Sequence, residues 1–179
     1  MTISIAYKDI ETIIDDILDR MRDTTYGLNA AITAINTQKS TVDTARSRTV
    51  ITLDKFKDTT AAEALTEGQN LFFFMAEEFV NCDPFMIVSI PSWGTDSLGV
   101  QTVSVLFLIV IENVEDGTDP RRKLLRYIRA LNDVFKNFPI DNDIISDVTT
   151  SIVEPDFTST SDESRSFYSA GVKLELVYA

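Results

Sequence analysis

The sequence predicts an α/β protein of the α+β type: amphipathic helices packed on a mainly antiparallel sheet, preceded by an N-terminal helical segment. Three stretches carry this prediction. The apolar run at residues 103–111 is typical of a central strand, and residues 167–178 alternate apolar with polar side chains, as a strand with one buried face does. Between them, residues 119–138 show the 3.6-residue apolar period of a helix.

The length of 179 residues is that of one domain with a substantial core. We expect residues 1–38 to form the N-terminal helical segment and residues 39–179 to form the α/β sheet core of the same single domain. The longest apolar run, residues 105–111, is far shorter than the roughly 20 residues that a membrane-spanning helix needs. The sequence therefore predicts a soluble protein with no membrane partner.

The N-terminal segment begins with an amphipathic helix predicted over residues 9–22. Its apolar residues form one stripe: Ile10, Ile13, Ile14, Ile17, Leu18 and Met21. After an interruption at residues 23–27 the pattern resumes, as a second helix or a bent continuation. The stripe packs either on its own subunit or on a neighbouring one. We expect the former, because most amphipathic stripes face their own core.

The following stretch predicts shorter elements. Residues 38–47 are polar and rich in Thr and Ser, which is typical of a linker or a mobile loop. The β-branched residues 49–53 predict a strand, and residues 55–68 predict a helix around their alanines. Residues 71–75 fit a strand or a helix equally, because a short apolar run does not distinguish the two.

A further strand is predicted at residues 84–91, with prolines at its ends, where a missing N–H is tolerated. Residues 92–99 then form a hairpin loop into the central strand. This loop contains Trp93, which either folds back over the sheet edge or anchors a subunit interface. The central strand is apolar on both faces, so we expect cover on both sides, with the first helix or a neighbouring subunit over the second face.

The helix at residues 119–138 has clear start and stop signals. Asp119 is placed to cap it, Pro120 takes the first helical position, and Phe138-Pro139 ends it. Its predicted buried stripe is Leu124, Ile128, Leu131, Phe135 and Phe138. Because the helix directly follows a strand, we expect it to lie across the same sheet. Strands at residues 144–157 and 167–178 complete the fold.

A basic stripe is predicted on the opposite side of this helix: Arg122, Arg126, Arg129 and Lys136. It is either a solvated face or a subunit contact whose complement is the acidic face of the first helix or the acidic C-terminal third. With 16 basic and 28 acidic residues the net charge is −12, which argues against a nucleic-acid surface. The candidate interface residues are therefore these four together with Trp93.

The sequence offers no catalytic, cofactor-binding or metal-binding constellation. Histidine is absent, so the commonest general base and transition-metal ligand are missing. Cys82 is the single cysteine and has no neighbouring cation to activate it. Carboxylate pairs occur at 15/16, 77/78 and 141/143, but in so acidic a chain such pairs are expected on solvated faces. No glycine-rich phosphate loop is present.

The order of elements resembles that of the tail-terminator and head–tail joining (neck) proteins of long-tailed bacteriophages and prophages. The resemblance rests on Leu28-Asn29-Ala30-Ala31-Ile32 with Ile35-Asn36, on residues 84–90 and 103–114, and on the helix that starts Asp-Pro-Arg-Arg-Lys-Leu-Leu-Arg-Tyr at Asp119. Residues 124–134 add to it, whereas residues 38–68 match nothing in that family.

This resemblance implies a non-enzymatic virion structural subunit without cofactors, assembled in the host cytoplasm. Such subunits form a ring, often hexameric, that completes the tail and contacts the tail tube and the head connector. An acidic ring would let DNA pass without binding it. A ring-forming subunit of a cellular secretion system or of a tail-like particle is a further possibility on the same grounds. The alternative from another class is a small-ligand-binding α/β module or an enzyme of unknown substrate, with its pocket between helices and sheet.

Overall fold

The computed structural model describes residues 10–56, 71–73, 84–112, 119–136, 145–156 and 167–178. Its helices are α1 (Ile10–Arg22), α2 (Leu28–Ala45) and α3 (Pro120–Lys136). Its strands are β1 (Leu71–Phe73), β2 (Phe85–Thr95), β3 (Gln101–Glu112), β4 (Ile145–Asp156) and β5 (Phe167–Tyr178). Helices pack on a mainly antiparallel sheet, so the predicted α+β class is confirmed.

The five strands form one sheet in the order β1-β2-β3-β5-β4. β1 runs parallel to β2, and every other neighbouring pair is antiparallel. β3 lies in the middle and pairs with β5 without interruption from Gln101–Tyr178 to Glu112–Phe167. The prediction that residues 103–111 form the centre of the sheet is therefore confirmed.

α3 crosses the sheet between two parallel strands. β3 and β4 are both antiparallel to β5, so they run parallel to each other with β5 between them. α3 connects them and packs on β3, β5 and β4. Its start is as predicted, because the Asp119 carboxylate accepts hydrogen bonds from the N–H groups of Arg121 (3.1 Å) and Arg122 (3.4 Å).

The core lies on one face of β3. Val103, Val105, Phe107, Ile109 and Ile111 are all fully buried, and the Phe107 ring lies 4.9 Å from that of Phe135 on α3. The alternate residues of β3 (Leu106, Leu108 and Val110) are only half-buried. Because α1 packs in the cluster on the buried face, it does not supply the predicted cover of the second face, and cover by a neighbouring subunit stays a prediction.

The stripe of α1 packs within its own subunit, as expected. Ile13, Ile17 and Met21 belong to the same core cluster as α3 and the sheet. The Arg20 guanidinium donates two hydrogen bonds to the carbonyl of Val134 near the end of α3, at 3.0 and 3.1 Å. α1 is therefore tied to α3 by both packing and hydrogen bonds.

A tight turn separates α1 from α2, so the resumed pattern is a second helix. The Asp23 carboxylate accepts the N–H groups of Thr25 and Tyr26, both at 2.7 Å. At Gly27 a Cβ atom would lie 2.3 Å from the carbonyl oxygen of Asp23 and 2.5 Å from that of Met21. The backbone of the turn and of the end of α1 therefore lies so close to Gly27 that no side chain fits at this position.

Two predictions in the middle of the chain are wrong. Residues 38–45 are not a linker but the last turns of α2, so the proposed division between residues 38 and 39 falls inside a helix. Residues 49–53 form no strand of the sheet. For residues 71–75 the sequence left a strand and a helix open, and residues 71–73 form the strand β1. The helix predicted at residues 55–68 lies almost wholly outside the described residues.

Candidate functional site

The β2–β3 hairpin ends in a tightly hydrogen-bonded turn at residues 96–100. Asp96 donates its N–H to the carbonyl of Val100 (2.9 Å), and Gly99 donates its N–H to the carbonyl of Asp96 (3.1 Å). The Asp96 carboxylate accepts the N–H groups of Leu98 (2.8 Å) and Val100 (3.0 Å). Gly99 has a φ of 85°, the left-handed conformation typical of this position in a three-residue hairpin loop. Asp96 and Gly99 therefore specify the turn.

This turn and the strand leading into it hold two large apolar side chains in solvent. Leu98 is 83% exposed and Trp93 is 61% exposed. Trp93 lies directly opposite Val103, so both share the helix-bearing face of the sheet. Val103 is fully buried there, whereas Trp93 is mostly uncovered. Its exposure argues against folding back over the sheet edge, and its role as an interface anchor stays a prediction. We call Trp93 and Leu98, with the turn that positions them, the hairpin tip.

β2 is longer than predicted, because it continues through Pro91 to Thr95. A register shift between Ser89 and Ser92 marks a bulge, the kind of irregularity at which a strand tolerates proline. Among the described residues, β1 pairs only with residues 86–88 of β2. Pro91 lacks an N–H and the bulge disturbs the strand, so this edge is poorly suited to pairing with another strand. The hairpin tip is thus suited to contact through side chains.

Two arginines of α3 converge on one buried aspartate of α2. Arg122 donates to Asp43 Oδ1 and Arg126 donates to Asp43 Oδ2, both from Nη2 at 2.5 Å. The hydrogen bond from Arg126 is the largest cause that lowers the pKa of Asp43 below its usual value. Burial opposes this shift, and the two arginine charges and the Ile51 N–H add to it. Asp43 is therefore a carboxylate at neutral pH.

This contact corrects the predicted basic stripe. Arg126 is 7% exposed and does not line an outer face, and Arg122 is also paired within its own chain. Their complement is Asp43 of α2, not the acidic face of α1 or the C-terminal third. Arg129 is exposed and pairs with Asp133 at 3.6 Å, and Lys136 is exposed. Of the five candidate interface residues, Trp93, Arg129 and Lys136 remain accessible.

Two asparagines of α2 hold residues 51–56, which we call the clamped segment, by its backbone. The Asn36 amide accepts the N–H of Leu53 (2.8 Å) and donates to its carbonyl (2.9 Å). The Asn29 amide accepts the N–H of Phe56 (2.9 Å) and donates to its carbonyl (2.7 Å). The asparagines are seven residues apart, two helical turns, so they lie on one face of α2. Their amides thus substitute for a neighbouring strand.

α3 holds the same segment from the other side. The Tyr127 hydroxyl accepts the N–H of Asp54 (2.9 Å) and donates to its carbonyl (3.1 Å). Arg126 donates from Nη1 to the carbonyl of Ile51 at 2.7 Å. The clamped segment therefore makes backbone hydrogen bonds to side chains of both helices.

The clamped segment also contributes apolar side chains to the interior. Ile51 and Leu53 are each 2% exposed, and Phe56 is 4% exposed and meets the Tyr127 ring edge-on at 5.3 Å. Sequence reasoning missed this site, although Asn29 and Asn36 on one helical face were a signal that could have indicated it. What no pattern indicated was which backbone the two amides would hold.

Nowhere in the part of the chain that the structure describes do three His, Cys, Asp or Glu residues gather as a metal site would need. Cys82 and the carboxylate pairs at 77/78 and 141/143 lie outside that part, while Asp15 is exposed on α1. No described helix has the length and apolar character to cross a membrane.

No protein-family model matches the chain, and no curated protein matches it.

Proposed function

We propose that this protein is a non-enzymatic structural subunit that assembles with copies of itself into a ring, at the head–tail junction of a long-tailed bacteriophage. The observation that carries the proposal is the hairpin tip, where Trp93 and Leu98 are held in solvent by a well-formed turn. Tryptophan is strongly enriched among residues that dominate binding energy at protein interfaces. The family resemblance supplies the ring and its place in the virion.

The shape of the hairpin tip favours a head-to-tail contact. The turn fixed by Asp96 and Gly99 holds Leu98, and the pairing of β2 with β3 holds Trp93, so little conformational entropy is lost on binding. A projecting element that enters a different surface on its neighbour makes a heterologous contact, and such contacts close into rings when the rotation between neighbours permits. The tail tube and the head connector are the proposed partners of the completed ring.

The charge of the chain is consistent with a conduit for DNA. A net charge of −12 repels phosphates. Two of the basic residues on α3, Arg122 and Arg126, already form ion pairs with Asp43. An acidic lumen would therefore let DNA pass without being held. Reduced DNA passage after conversion of lumen acids to lysine would support this part of the proposal, and lumen-facing Arg129 or Lys136 would contradict it.

The test is the mass and shape of the full-length chain in solution. Size-exclusion chromatography with light scattering over a wide concentration range should give an oligomer, and negative-stain electron microscopy should show rings. The variant Trp93→Ala with Leu98→Ser should shift the mass towards the monomer. Leu125→Ser is the matched control, because Leu125 is 52% exposed on α3, away from the hairpin tip. A strict monomer that retains a small molecule would contradict the proposal and favour the ligand-binding alternative.

A further inference from the structure

β4 (Ile145–Asp156) forms one edge of the sheet. It is the last strand in the order β1-β2-β3-β5-β4, and within the described part of the chain it pairs with β5 alone. Alternate residues of an antiparallel strand direct their N–H and C=O groups to its outer side, where no described strand lies beside β4. Such a row of backbone groups is a template for pairing with a further strand.

The two edges of the sheet differ in how well they accept a strand. At the opposite edge, β1 pairs with residues 86–88 of β2, and beyond them come a bulge and Pro91. β4 instead keeps an unbroken register with β5 over residues 147–153, which we call the edge stretch. Its sequence, Asp-Val-Thr-Thr-Ser-Ile-Val, is mostly β-branched and contains no proline, glycine or lysine. The edge stretch therefore lacks the devices that usually protect an edge strand.

The edge stretch is symmetric about its central residue, Thr150. Register shifts bound it on both sides, between Ile145 and Asp147 and between Val153 and Asp156. Two such stretches that pair antiparallel about Thr150 use all seven residues of each copy and neither irregular end. The regular part of β4 in a second copy thus matches this edge in length.

In this register, residues of one kind come to lie opposite each other: Val148 opposite Ile152, Thr149 opposite Ser151, and Thr150 opposite Thr150 of the second copy. Directly opposed β-branched residues and directly opposed hydroxyl residues are favourable across antiparallel strands. The edge stretch is therefore complementary to a second copy of itself.

Charge favours the antiparallel arrangement over a parallel one. Asp147 is the single charged residue of the edge stretch. Antiparallel pairing places it opposite Val153 of the second copy, so the two copies of Asp147 are six residue positions, about 20 Å, apart. Parallel pairing in register would place the two carboxylates directly beside each other, which is unfavourable.

The described helices leave room for this pairing. The two-fold axis of such an antiparallel pair is perpendicular to the sheet, so α3 of both copies lies on the same face. Because α3 packs on β3, β5 and β4, it lies over β5, the middle strand of the three. The β5 strands of the two copies are three strand spacings, about 14 Å, apart. That distance exceeds the roughly 8–10 Å between the axes of two packed helices, so the two copies of α3 do not collide.

We propose that β4 is a self-association surface, through which two copies join antiparallel along residues 147–153. Their sheets then form one continuous sheet of ten described strands, five from each copy. A second copy is the occupant because it brings an edge of the same regular length and matching residue types. The contact is isologous, whereas the proposed contact of the hairpin tip is head-to-tail. It does not rest on the ring, because a chain that never forms rings can pair in this way.

Charge substitutions in the edge stretch test the pairing. Thr149→Lys with Ser151→Lys places like charges opposite each other in the pair, and so does Thr149→Glu with Ser151→Glu. Within one chain these two positions are opposite Glu175 and Lys173. Each double variant therefore gains one favourable and one unfavourable neighbour in its own sheet, so the two should be equally stable.

The measurement is the mass by light scattering of the full-length chain that carries Trp93→Ala and Leu98→Ser, which removes the contact of the hairpin tip. This parent should have the mass of two chains, and each charge variant made in it should have the mass of one. An equimolar mixture of the lysine and glutamate variants should regain the mass of two chains. A monomeric parent, charge variants that remain dimers or a mixture that stays monomeric would each overturn the pairing.

Cysteine crosslinking gives a second test that does not depend on the folding of the charge variants. In a Cys82→Ser background, Thr150→Cys should form a disulfide between two chains on mild oxidation, because Cα atoms directly opposite in antiparallel strands are about 4.5–5.5 Å apart. Asp147→Cys in the same background is the matched control, since its two copies are about 20 Å apart. Non-reducing gels should show at least tenfold more crosslinked dimer for Thr150→Cys. Equal crosslinking of the two variants would contradict antiparallel pairing about Thr150.

These outcomes are distinct from those of the ring proposal. A wild-type chain that forms rings, together with a tip variant that is monomeric, keeps the ring and removes the pairing of β4. A tip variant that is a dimer through residues 147–153, together with a wild-type chain that never forms rings, keeps the pairing and removes the ring.

Discussion

The hairpin tip places a tryptophan and a leucine in solvent, whereas the contact between α2 and α3 buries an aspartate and an arginine. Trp93 and Leu98 are 61% and 83% exposed, while Asp43 and Arg126 are 2% and 7% exposed. Each region contradicts the usual location of its residue types. At the tip, the two apolar side chains are not buried by their own subunit, so their surface is available to a partner. In the contact, each buried charge has its partner in place.

The comparison separates two kinds of evidence for function. Buried polar groups that are fully hydrogen-bonded are explained by the fold, because an unpaired buried charge would be costly. Exposed apolar side chains on a well-ordered turn are not required by the fold. Mutations should therefore change stability in the contact and assembly at the tip, and the predictions below test that division.

The largest effect is expected at Arg126. Arg126→Met leaves Asp43 buried without its principal partner and removes the hydrogen bond to the carbonyl of Ile51, so Tm should fall by on the order of 10 °C. Differential scanning calorimetry measures this change. Arg129→Met is the matched control, because its exposed pair with Asp133 should contribute little. Equal melting temperatures for the two variants would contradict the assignment.

Asn36→Ala should lower the free energy of unfolding by about 2–4 kcal/mol, because the N–H and the carbonyl of Leu53 both lose their partner. Urea unfolding monitored by circular dichroism gives the value. Thr33→Ala, on an exposed position of the same helix, should change it by less than about 0.5 kcal/mol. If the two variants were equally stable, Asn36 would not be holding the clamped segment.

Acid should weaken the buried contact selectively. The pKa of Asp43 in the folded chain lies below its ordinary value of 3.8, because Arg126 donates a hydrogen bond to it. Its contribution to stability is complete above the ordinary value and is lost as the pH falls through the lower folded-state pKa. Below about pH 4, Tm should therefore fall more steeply in the wild type than in Asp43→Asn. Parallel curves would argue that Asp43 is not paired in solution.

The turn itself should show a moderate effect. Gly99→Ala forces a side chain into the left-handed region and should lower the free energy of unfolding by about 1–2 kcal/mol. Gly94→Ala on the same hairpin is the control, because an added Cβ there meets nothing within 4 Å. Urea unfolding of both variants should reveal the difference.

The smallest change in stability is expected at the side chain proposed to matter most for assembly. Trp93→Ala should alter the free energy of unfolding by less than about 0.5 kcal/mol, because the side chain is mostly exposed. The mass of the assembly that this variant forms, measured by light scattering, should nevertheless be lower than that of the wild type. A large loss of stability would mean that Trp93 serves the fold of its own subunit.

Much of the architecture follows from local patterns. The alternation of residues 167–178, the apolar run of residues 103–111 and the cap at Asp119 each depend on neighbours a few positions away, and all three were predicted correctly. The polar residues 38–45 were misassigned because composition suggested a linker. Their helix is continuous with the preceding turns of α2 and ends against α3 through Asp43.

The sequence by itself determined the fold class, the central strand, the start of α3 and the stripe of α1, because periodicity and capping act over a few residues. The predicted end of α3 at Phe138-Pro139 lies outside the described residues. Only the tertiary structure decided that Arg126 faces Asp43 across 83 positions of sequence and that Asn36 holds Leu53. A basic residue at helical spacing looks the same whether it faces water or a buried carboxylate. Which one it meets depends on how the helices pack, and that packing is a property of the whole chain.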